Sequence, residues 1–151
     1  MRRSSLLVVA ACMLGVPLGV GAFTFVYAKG FSYLSSDPRA CVNCHIMNEQ
    51  YDAWIKSGHR HTATCVECHL PHAGAAKWVA KADHGFRHSA AFTLQNFKEP
   101  IEITPRDRRI VRDNCTRCHA DFIHAVTGGA VRGELDCLHC HRQAGHGAAG
   151  G

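Results

Sequence analysis

The sequence predicts a mainly α-helical protein with much irregular structure and no significant sheet, in which a single N-terminal transmembrane helix precedes one compact domain. Three observations lead to this prediction. The run from position 6 to position 28 contains no charged residue, and it is long enough to cross a hydrocarbon core of about 30 Å. The pattern Cys-x-x-Cys-His then occurs four times. About 120 residues follow the apolar run, which is enough for one domain at most.

The N-terminal segment, residues 1–30, is predicted to be a short cytoplasmic tip followed by a retained membrane anchor. A cleaved secretory signal is the alternative, but its apolar region covers only about 7–15 residues. No convincing Ala-x-Ala cleavage site follows the apolar run. Arg2 and Arg3 indicate a cytoplasmic N-terminus by the positive-inside rule. We therefore expect the protein in the cytoplasmic (inner) membrane, with the domain of residues 31–151 facing the periplasm.

Each Cys-x-x-Cys-His motif is typical of a c-type haem attachment site, in which two thiols bond to the porphyrin and the histidine reaches the iron. The cysteines of the four motifs are Cys41, Cys44, Cys65, Cys68, Cys115, Cys118, Cys137 and Cys140. A Cys₄ zinc site or a thioredoxin-like redox pair is the alternative. Neither requires a histidine directly after the second cysteine, so we predict four covalently bound c-type haems. Haem attachment after export also agrees with a periplasmic domain.

The expected haems change how size and charge are interpreted. Each haem has only about 30 residues to enclose it, which is too few for an ordinary apolar core. We therefore expect the haems to form the core. The formal net charge is +5, but eight ionised propionates would bring the loaded protein to about −3. The basic composition consequently does not indicate a nucleic-acid partner.

Local signals predict three helices in the domain. One covers residues 48–57 and ends at Gly58. A second covers about residues 73–84 and ends at Gly85, since glycine commonly follows the last helical turn. The third begins after Thr104, with Pro105 at the first helical position, and continues to about residue 114. This helix would end directly before the third motif.

The residues around the motifs suggest the axial ligands of the irons. His69, His119 and His141 each follow a motif directly and can supply one ligand. In the first motif, His45 holds this position, but Met47 lies two residues further on. A thioether ligand raises the haem potential relative to histidine. The alternative is that Met47 only fills a gap in the packing, as methionine often does.

Three sequence features together resemble the NapC/NrfH family of membrane-anchored tetrahaem quinol dehydrogenases. They are Met47 after the first motif, the stretch from Cys65 to His72, and Lys77-Trp78-x-x-Lys81. The resemblance covers the whole chain, and the short C-terminal part is most similar to the small subunits of cytochrome c nitrite reductases. It implies that the protein oxidises menaquinol from the membrane quinol pool. It also implies that electrons pass to a catalytic multihaem nitrite reductase subunit, which makes ammonium from nitrite.

The resemblance also implies particular iron ligands. In the family, the methionine of Cys-x-x-Cys-His-x-Met holds the first haem, which corresponds to Met47. The second haem pairs its motif histidine with a lysine about a dozen residues further on, which corresponds to His69 and Lys81. Distal histidines for the other two haems correspond to His146 for the third and His59 for the fourth. Further candidates for iron ligation are His45, His61, His88 and His124.

The candidate quinol site lies in the segment after the second motif. Some family members carry an aspartate seven residues after the lysine, where this chain has His88. His88 either hydrogen-bonds a quinol hydroxyl or binds the first iron. Asp83 and His84 are alternative proton acceptors. On a helix, the spacing of Lys81, His84 and His88 places them on one face, which is either a proton-handling site or an ordinary solvated surface; Gly85 could break that face.

Two other functions are compatible with the same motifs. One is a NapC-type general tetrahaem electron donor to another periplasmic reductase. The other is a non-enzymatic electron wire in the membrane, which takes electrons from a separate dehydrogenase. Quinol-dependent haem reduction by the isolated protein distinguishes the wire from the other two functions.

Overall fold

The computed structural model describes residues 3–128 and 135–147. Within these ranges all regular structure is helical and there is no β-strand, as predicted. The α-helices are α1 (Arg3–Tyr27), α2 (Asn48–Ile55), α3 (Cys65–His69), α4 (Gly74–Leu94), α5 (Pro105–Thr127) and α6 (Cys137–Cys140). Short 3₁₀ helices cover Gly30–Leu34, Pro38–Asn43, His45–Met47 and Gly58–His61.

The chain divides into two compact units, of which the first ends at Ser32 and the second begins at Tyr33. The first unit is dominated by α1, whose mean hydropathy reaches 2.3. In the described residues, α1 is the single helix that is long and apolar enough to cross a membrane. Pro17 lies inside α1 without ending it. Arg2 falls outside the described residues, so the orientation that it indicates stays a prediction.

The second unit begins with short helices around the first motif. Here α2 agrees with the predicted helix to within two residues. The Trp54 indole of α2 donates a hydrogen bond to the Ala63 carbonyl over 3.0 Å. Ser57 caps the following 3₁₀ helix by accepting a hydrogen bond from the His59 backbone N–H. These contacts attach the segment that carries His59 to α2.

The predicted end of the next helix at Gly85 is wrong, because α4 continues through Gly85 to Leu94. It ends at Gln95, which has a left-handed backbone conformation with φ 53°. A glycine inside a helix costs about 1 kcal/mol relative to alanine. In the structure the ring of Tyr33 lies against Gly85, and the helix continues across it.

The start of α5 was predicted correctly, but its end was not. The Thr104 hydroxyl accepts a hydrogen bond from the Asp107 backbone N–H, and Pro105 occupies the first turn. The helix then continues well beyond residue 114, to Thr127, with a kink at His119 where φ is −106° and ψ is 18°. Consequently the third motif lies inside α5.

The second unit buries very few apolar side chains. Among the described residues the buried hydrophobic ones are Leu70, Ala80 and Val111, and no large side chain is fully buried. Contacts of α5 with α3 and with α6 hold the helices together. Such a small apolar contact is far below what a domain of about 120 residues normally needs.

Candidate haem-binding and electron-transfer site

Each cysteine motif lies on a helical segment of its own. The first spans the 3₁₀ helices Pro38–Asn43 and His45–Met47, the second forms α3, the third lies within α5, and the fourth forms α6 and the residue after it. A capping box fixes the start of α3, because Thr64 and Glu67 exchange side-chain and backbone hydrogen bonds. In the second, third and fourth motifs one helical turn separates the two cysteines, so both thiols can meet the edge of one porphyrin. In the first motif Cys44 is extended and lies between the two 3₁₀ helices.

Consecutive motifs are neighbours in space. The helix α3 contacts both Pro38–Asn43 and α5, and α5 contacts α6. The thiols of Cys41 and Cys65, from the first two motifs, are within hydrogen-bonding reach of each other. The four motifs therefore follow one another in the order of the sequence.

His69 lies opposite His146, although the two are far apart in sequence. Their Nε2 atoms are 3.5 Å apart, and the ring centroids are 5.8 Å apart. Burial, followed by the charge of His146, lowers the pKa of His69 to about 4. Its imidazole is therefore neutral at pH 7, which is the form that binds iron.

His59 lies next to His119, the histidine of the third motif. Their ring centroids are 6.2 Å apart and the planes cross at 79°. The Nδ1 of His59 is 3.1 Å from the Ala144 carbonyl, and the Nδ1 of His146 is 3.0 Å from the Gln50 carbonyl. Iron-binding histidines commonly donate their second ring nitrogen to a backbone carbonyl, which leaves the other for the metal. Both distal candidates have this arrangement.

The histidine pairs differ from those that the resemblance implied. His69 faces His146 rather than Lys81, and His59 is close to His119 of the third motif rather than to the fourth. Of the further candidates, His61 accepts a hydrogen bond from the Arg60 guanidinium over 3.0 Å. The remaining motif-adjacent and rival histidines are exposed: His45, His124 and His141.

Lys81 is buried near the first motif, with 5 % of its surface exposed. Its Nζ donates hydrogen bonds to the carbonyls of Leu34 over 3.1 Å and of Ser35 over 2.8 Å. The same Nζ lies 5.2 Å from the centre of the Trp78 ring. Burial, and then the positive charge of Lys77, lower the pKa of Lys81. The Lys81 ammonium is therefore held by neutral groups, and no carboxylate pairs with it among the described residues.

A chain of polar side chains continues from Lys81 along the same face of α4. Because α4 does not break at Gly85, His84 and His88 stay on that face, and their rings stack at 5.6 Å with planes 17° apart. The Nδ1 of His88 is 3.2 Å from the Tyr33 hydroxyl. The Nε2 of His84 is 3.0 Å from Asp107 Oδ1.

Tyr33 is a further polar residue of this site that the sequence alone does not indicate. It stands next to the first motif, and burial, followed by the nearby Cys44 and Cys41, raises the pKa of its hydroxyl to about 12. The hydroxyl therefore stays protonated at neutral pH. Only its place shortly before the first motif could have drawn attention to it, because its contact with His88 spans 55 residues of sequence.

The predicted proton acceptors Asp83 and His84 are both engaged with other groups. Asp83 forms ion pairs with Arg87 at 3.1 Å and with Arg106 at 2.6 Å. His84 pairs with Asp107 at the start of α5. Asp83 and Asp107 thus join α4 to α5, and His88 is the acceptor of the three that has no carboxylate partner in the described chain.

The donor set fits haem. All nine cysteines are unpaired, so the thiols of every motif are free to form thioether bonds. The described residues contain no group of three or more histidine, cysteine or acidic side chains placed to hold a bare metal ion. Free thiols, neighbouring histidine rings and a small apolar core agree with a protein that encloses porphyrins.

These motifs and the apolar helix α1 define a membrane-anchored c-type cytochrome, a class of electron-transfer protein. The chain matches the sequence model of the NapC/NirT cytochrome c family, N-terminal region, over residues 1–150. It belongs to that family, and it accordingly binds c-type haem covalently.

Individual relatives agree with this assignment. The chain is 38% identical over 159 aligned residues to the cytochrome c-type protein NrfH of Wolinella succinogenes. This alignment covers 97% of this chain and 90% of the relative. It is 26% identical over 133 aligned residues to the cytochrome c-type protein NapC of Escherichia coli K12, and this alignment covers 70% of this chain and 66% of the relative. The fold is similar to a chain in the crystal structure of the cytochrome c nitrite reductase NrfHA complex bound to the HQNO inhibitor. That match has a TM-score of 0.63 and 30% identity, and it covers 93% of this chain and 90% of the other.

Proposed function

We propose that the protein oxidises menaquinol at the cytoplasmic membrane and passes the electrons through four c-type haems to a periplasmic multihaem nitrite reductase subunit. The observation that carries this proposal is the cluster of Lys81, His88 and Tyr33 next to the first motif. A buried lysine, an imidazole without a carboxylate partner in the described chain, and a protonated phenol suit a substrate that loses protons as it is oxidised. The similarity to NrfH, and to a chain of the NrfHA complex, supports the choice of partner.

Quinol oxidation releases two electrons and two protons. A bound haem supplies the one-electron acceptor. The imidazole of His88 suits the role of proton acceptor, because its ordinary pKa is close to neutral. Its contact with the Tyr33 hydroxyl fixes the orientation of the ring.

Lys81 would bind the quinol oxygen. An ammonium group has three N–H donors, and two of them point to the carbonyls of Leu34 and Ser35. The third is left for the substrate. An iron-bound lysine would have to be neutral and turn its lone pair to the metal. We therefore favour the substrate role of Lys81 over its implied role as a ligand of the second haem.

The observed pairs support a revised set of iron ligands. Met47 would hold the first haem. His69 and His146 would hold the second, since their Nε2 atoms face each other. His59 and His119 would hold the third, in line with their adjacent rings. The histidine after the last motif, His141, would bind the fourth.

The contacts between motifs support the electron route. Pro38–Asn43 touches α3, α3 touches α5, and α5 touches α6, so electrons would move from the first to the fourth haem. The haem domain would face the periplasm, where haem attachment takes place, with the N-terminal arginines on the cytoplasmic side.

Reduction by quinol is the direct test. The purified, haem-loaded protein in liposomes is mixed with a soluble menaquinol analogue, and haem absorbance is followed by stopped-flow. Reduction of all four haems is expected, while no reduction would favour the electron wire. Co-purification with a multihaem nitrite reductase is also expected. Rapid quinol-dependent reduction of several unrelated acceptors by the free protein, without such a complex, would favour the NapC-type donor.

A further inference from the structure

Asn114 is a buried polar residue that joins two haem motifs. Only 8 % of its surface is exposed. Its Nδ2 donates hydrogen bonds to the Cys68 carbonyl over 2.8 Å and to the Leu70 carbonyl over 2.9 Å. These two carbonyls flank His69 at the end of α3. Asn114 itself directly precedes Cys115, the first cysteine of the third motif.

These two hydrogen bonds require a side chain with two N–H donors, such as an amide. The last carbonyls of a helix have no partner within the helix, and α3 is only five residues long. An asparagine NH₂ group carries two donors, so it can satisfy both carbonyls at once, whereas a carboxylate has none. The hydrogen bond to the Leu70 carbonyl is buried and that to the Cys68 carbonyl is partly buried. Hydrogen bonds with little access to water are stronger than exposed ones.

Little else of polar character ties this end of α3 to α5. In the part of the chain that the structure describes, the other side-chain hydrogen bond between residues 64–72 and α5 joins Arg117 to His72, both exposed, over 2.9 Å. Asn114 is therefore the buried polar link between the segment that carries His69 and the segment that carries Cys115.

We propose that Asn114 is a positioning residue that fixes the second haem motif against the third and thereby sets the rate of electron transfer between them. The proposal rests on the proposed electron route through consecutive haems. A change in the distance or tilt between the second and third motifs alters the environment of the His69 imidazole. It also alters the separation of the haems that these two motifs would hold. Asn114 touches neither quinol nor iron, and it acts through the placement of α3.

The experiment compares Asn114→Leu, which keeps the size and removes both donors, with Asn114→Ser, which keeps one donor. Asp113→Asn is the matched control, because it changes the exposed neighbouring residue on α5. Each full-length holoprotein is checked for four haems by mass spectrometry. The oxidised proteins are then compared by electron paramagnetic resonance. Electron redistribution among the haems is followed after flash photoreduction with a soluble dye, which bypasses quinol.

With four haems retained, Asn114→Leu is expected to shift one low-spin haem signal and to slow redistribution several-fold. Asn114→Ser should be intermediate and Asp113→Asn unchanged. Wild-type signals and rates in Asn114→Leu would overturn the proposal. Where Asn114→Leu does not assemble, Asn114→Ser decides: a shifted signal supports the proposal and a wild-type signal and rate refute it. Failure of menaquinol to reduce the wild type would refute only the proposed function.

Discussion

At the scale of single residues, the contact between Tyr33 and His88 leads to a specific prediction about quinol oxidation. Tyr33→Phe removes the hydroxyl that contacts His88 Nδ1 and leaves the ring over Gly85. Loss of one hydrogen bond is worth about 1 kcal/mol, so menaquinol-dependent haem reduction should slow about fivefold. Stopped-flow measurement with the menaquinol analogue checks this. The control is Tyr51→Phe, which removes a hydroxyl on α2, and equal rates in both variants would contradict the role of Tyr33.

Lys81 has two predicted roles, and one variant separates them. Lys81→Met keeps the length of the side chain and removes the N–H donors that bind the carbonyls of Leu34 and Ser35. If Lys81 binds quinol, the KM for the menaquinol analogue should rise at least several-fold while all haem resonance signals stay as in the wild type. Lys77→Met is the control on the same helix. Loss of one low-spin haem signal in Lys81→Met would instead identify Lys81 as an iron ligand.

The residues that could be predicted from the sequence are those whose function depends on neighbours in sequence. A haem motif needs its cysteines and histidine within five consecutive positions, so Cys65, Cys68 and His69 were predictable. Tyr33 and Asn114 were not, because their partners are 55 and up to 46 residues away. Such contacts exist only once the helices have packed.

At the scale of secondary-structure elements, the contact between α4 and α5 predicts a loss of stability in acid. Burial acts to raise the pKa of Asp107, but hydrogen bonds from Thr104 and His84 outweigh burial, and the net pKa is lowered. A carboxyl group with a lowered pKa in the folded protein stabilises it above the unfolded pKa of about 3.9. That stabilisation is lost as the pH falls through the lower, folded value.

Asp107→Asn should therefore lower the free energy of unfolding by about 1–2 kcal/mol at neutral pH, and this difference should shrink as the pH falls below about 3.9. Thermal unfolding of the holoprotein in detergent across this pH range measures the effect. Asp113→Asn, an exposed position on the same helix, is the control. A constant difference between Asp107→Asn and wild type at every pH would show that charge on Asp107 is not the cause.

The starts of the elements were easier to predict than their ends. Thr104 and Pro105 are local signals, and they mark the start of α5 correctly. The end of α4 carries no such signal, because it is capped by Gln95 in a left-handed conformation that favours glycine. The end of α5 does carry one, since Gly128 with φ 62° follows its last residue. The prediction stopped α5 at the third motif, well before this glycine.

At the scale of the whole molecule, the C-terminal segment is predicted to support two haem sites. Truncation after Arg142 leaves all four cysteine motifs intact but removes His146 and the Ala144 carbonyl that contacts His59. Four haems should still be attached, while two low-spin signals change in the electron paramagnetic resonance spectrum. The control is truncation after Gly147. A change in only one signal would mean that His59 does not need the Ala144 carbonyl.

The small size of the apolar core was predictable from the number of haem motifs and the length of the domain. Four motifs in about 120 residues leave too little chain for an apolar core, and the described residues bury only Leu70, Ala80 and Val111 as hydrophobic groups. The arrangement of the motifs relative to one another was not predictable, because nothing in their spacing says which histidine meets which. The opposition of His69 and His146 comes from the return of the C-terminal segment to α2.

That return has a consequence for biogenesis. His59 and Ala144 are separated by 85 residues, and Gln50 and His146 by 96. If the domain is exported as proposed, the earlier partner of each contact would leave the translocation channel long before the later one. His59 would then lack its Ala144 contact until the last residues had crossed, and porphyrins attached earlier would complete their proposed ligation only at that point.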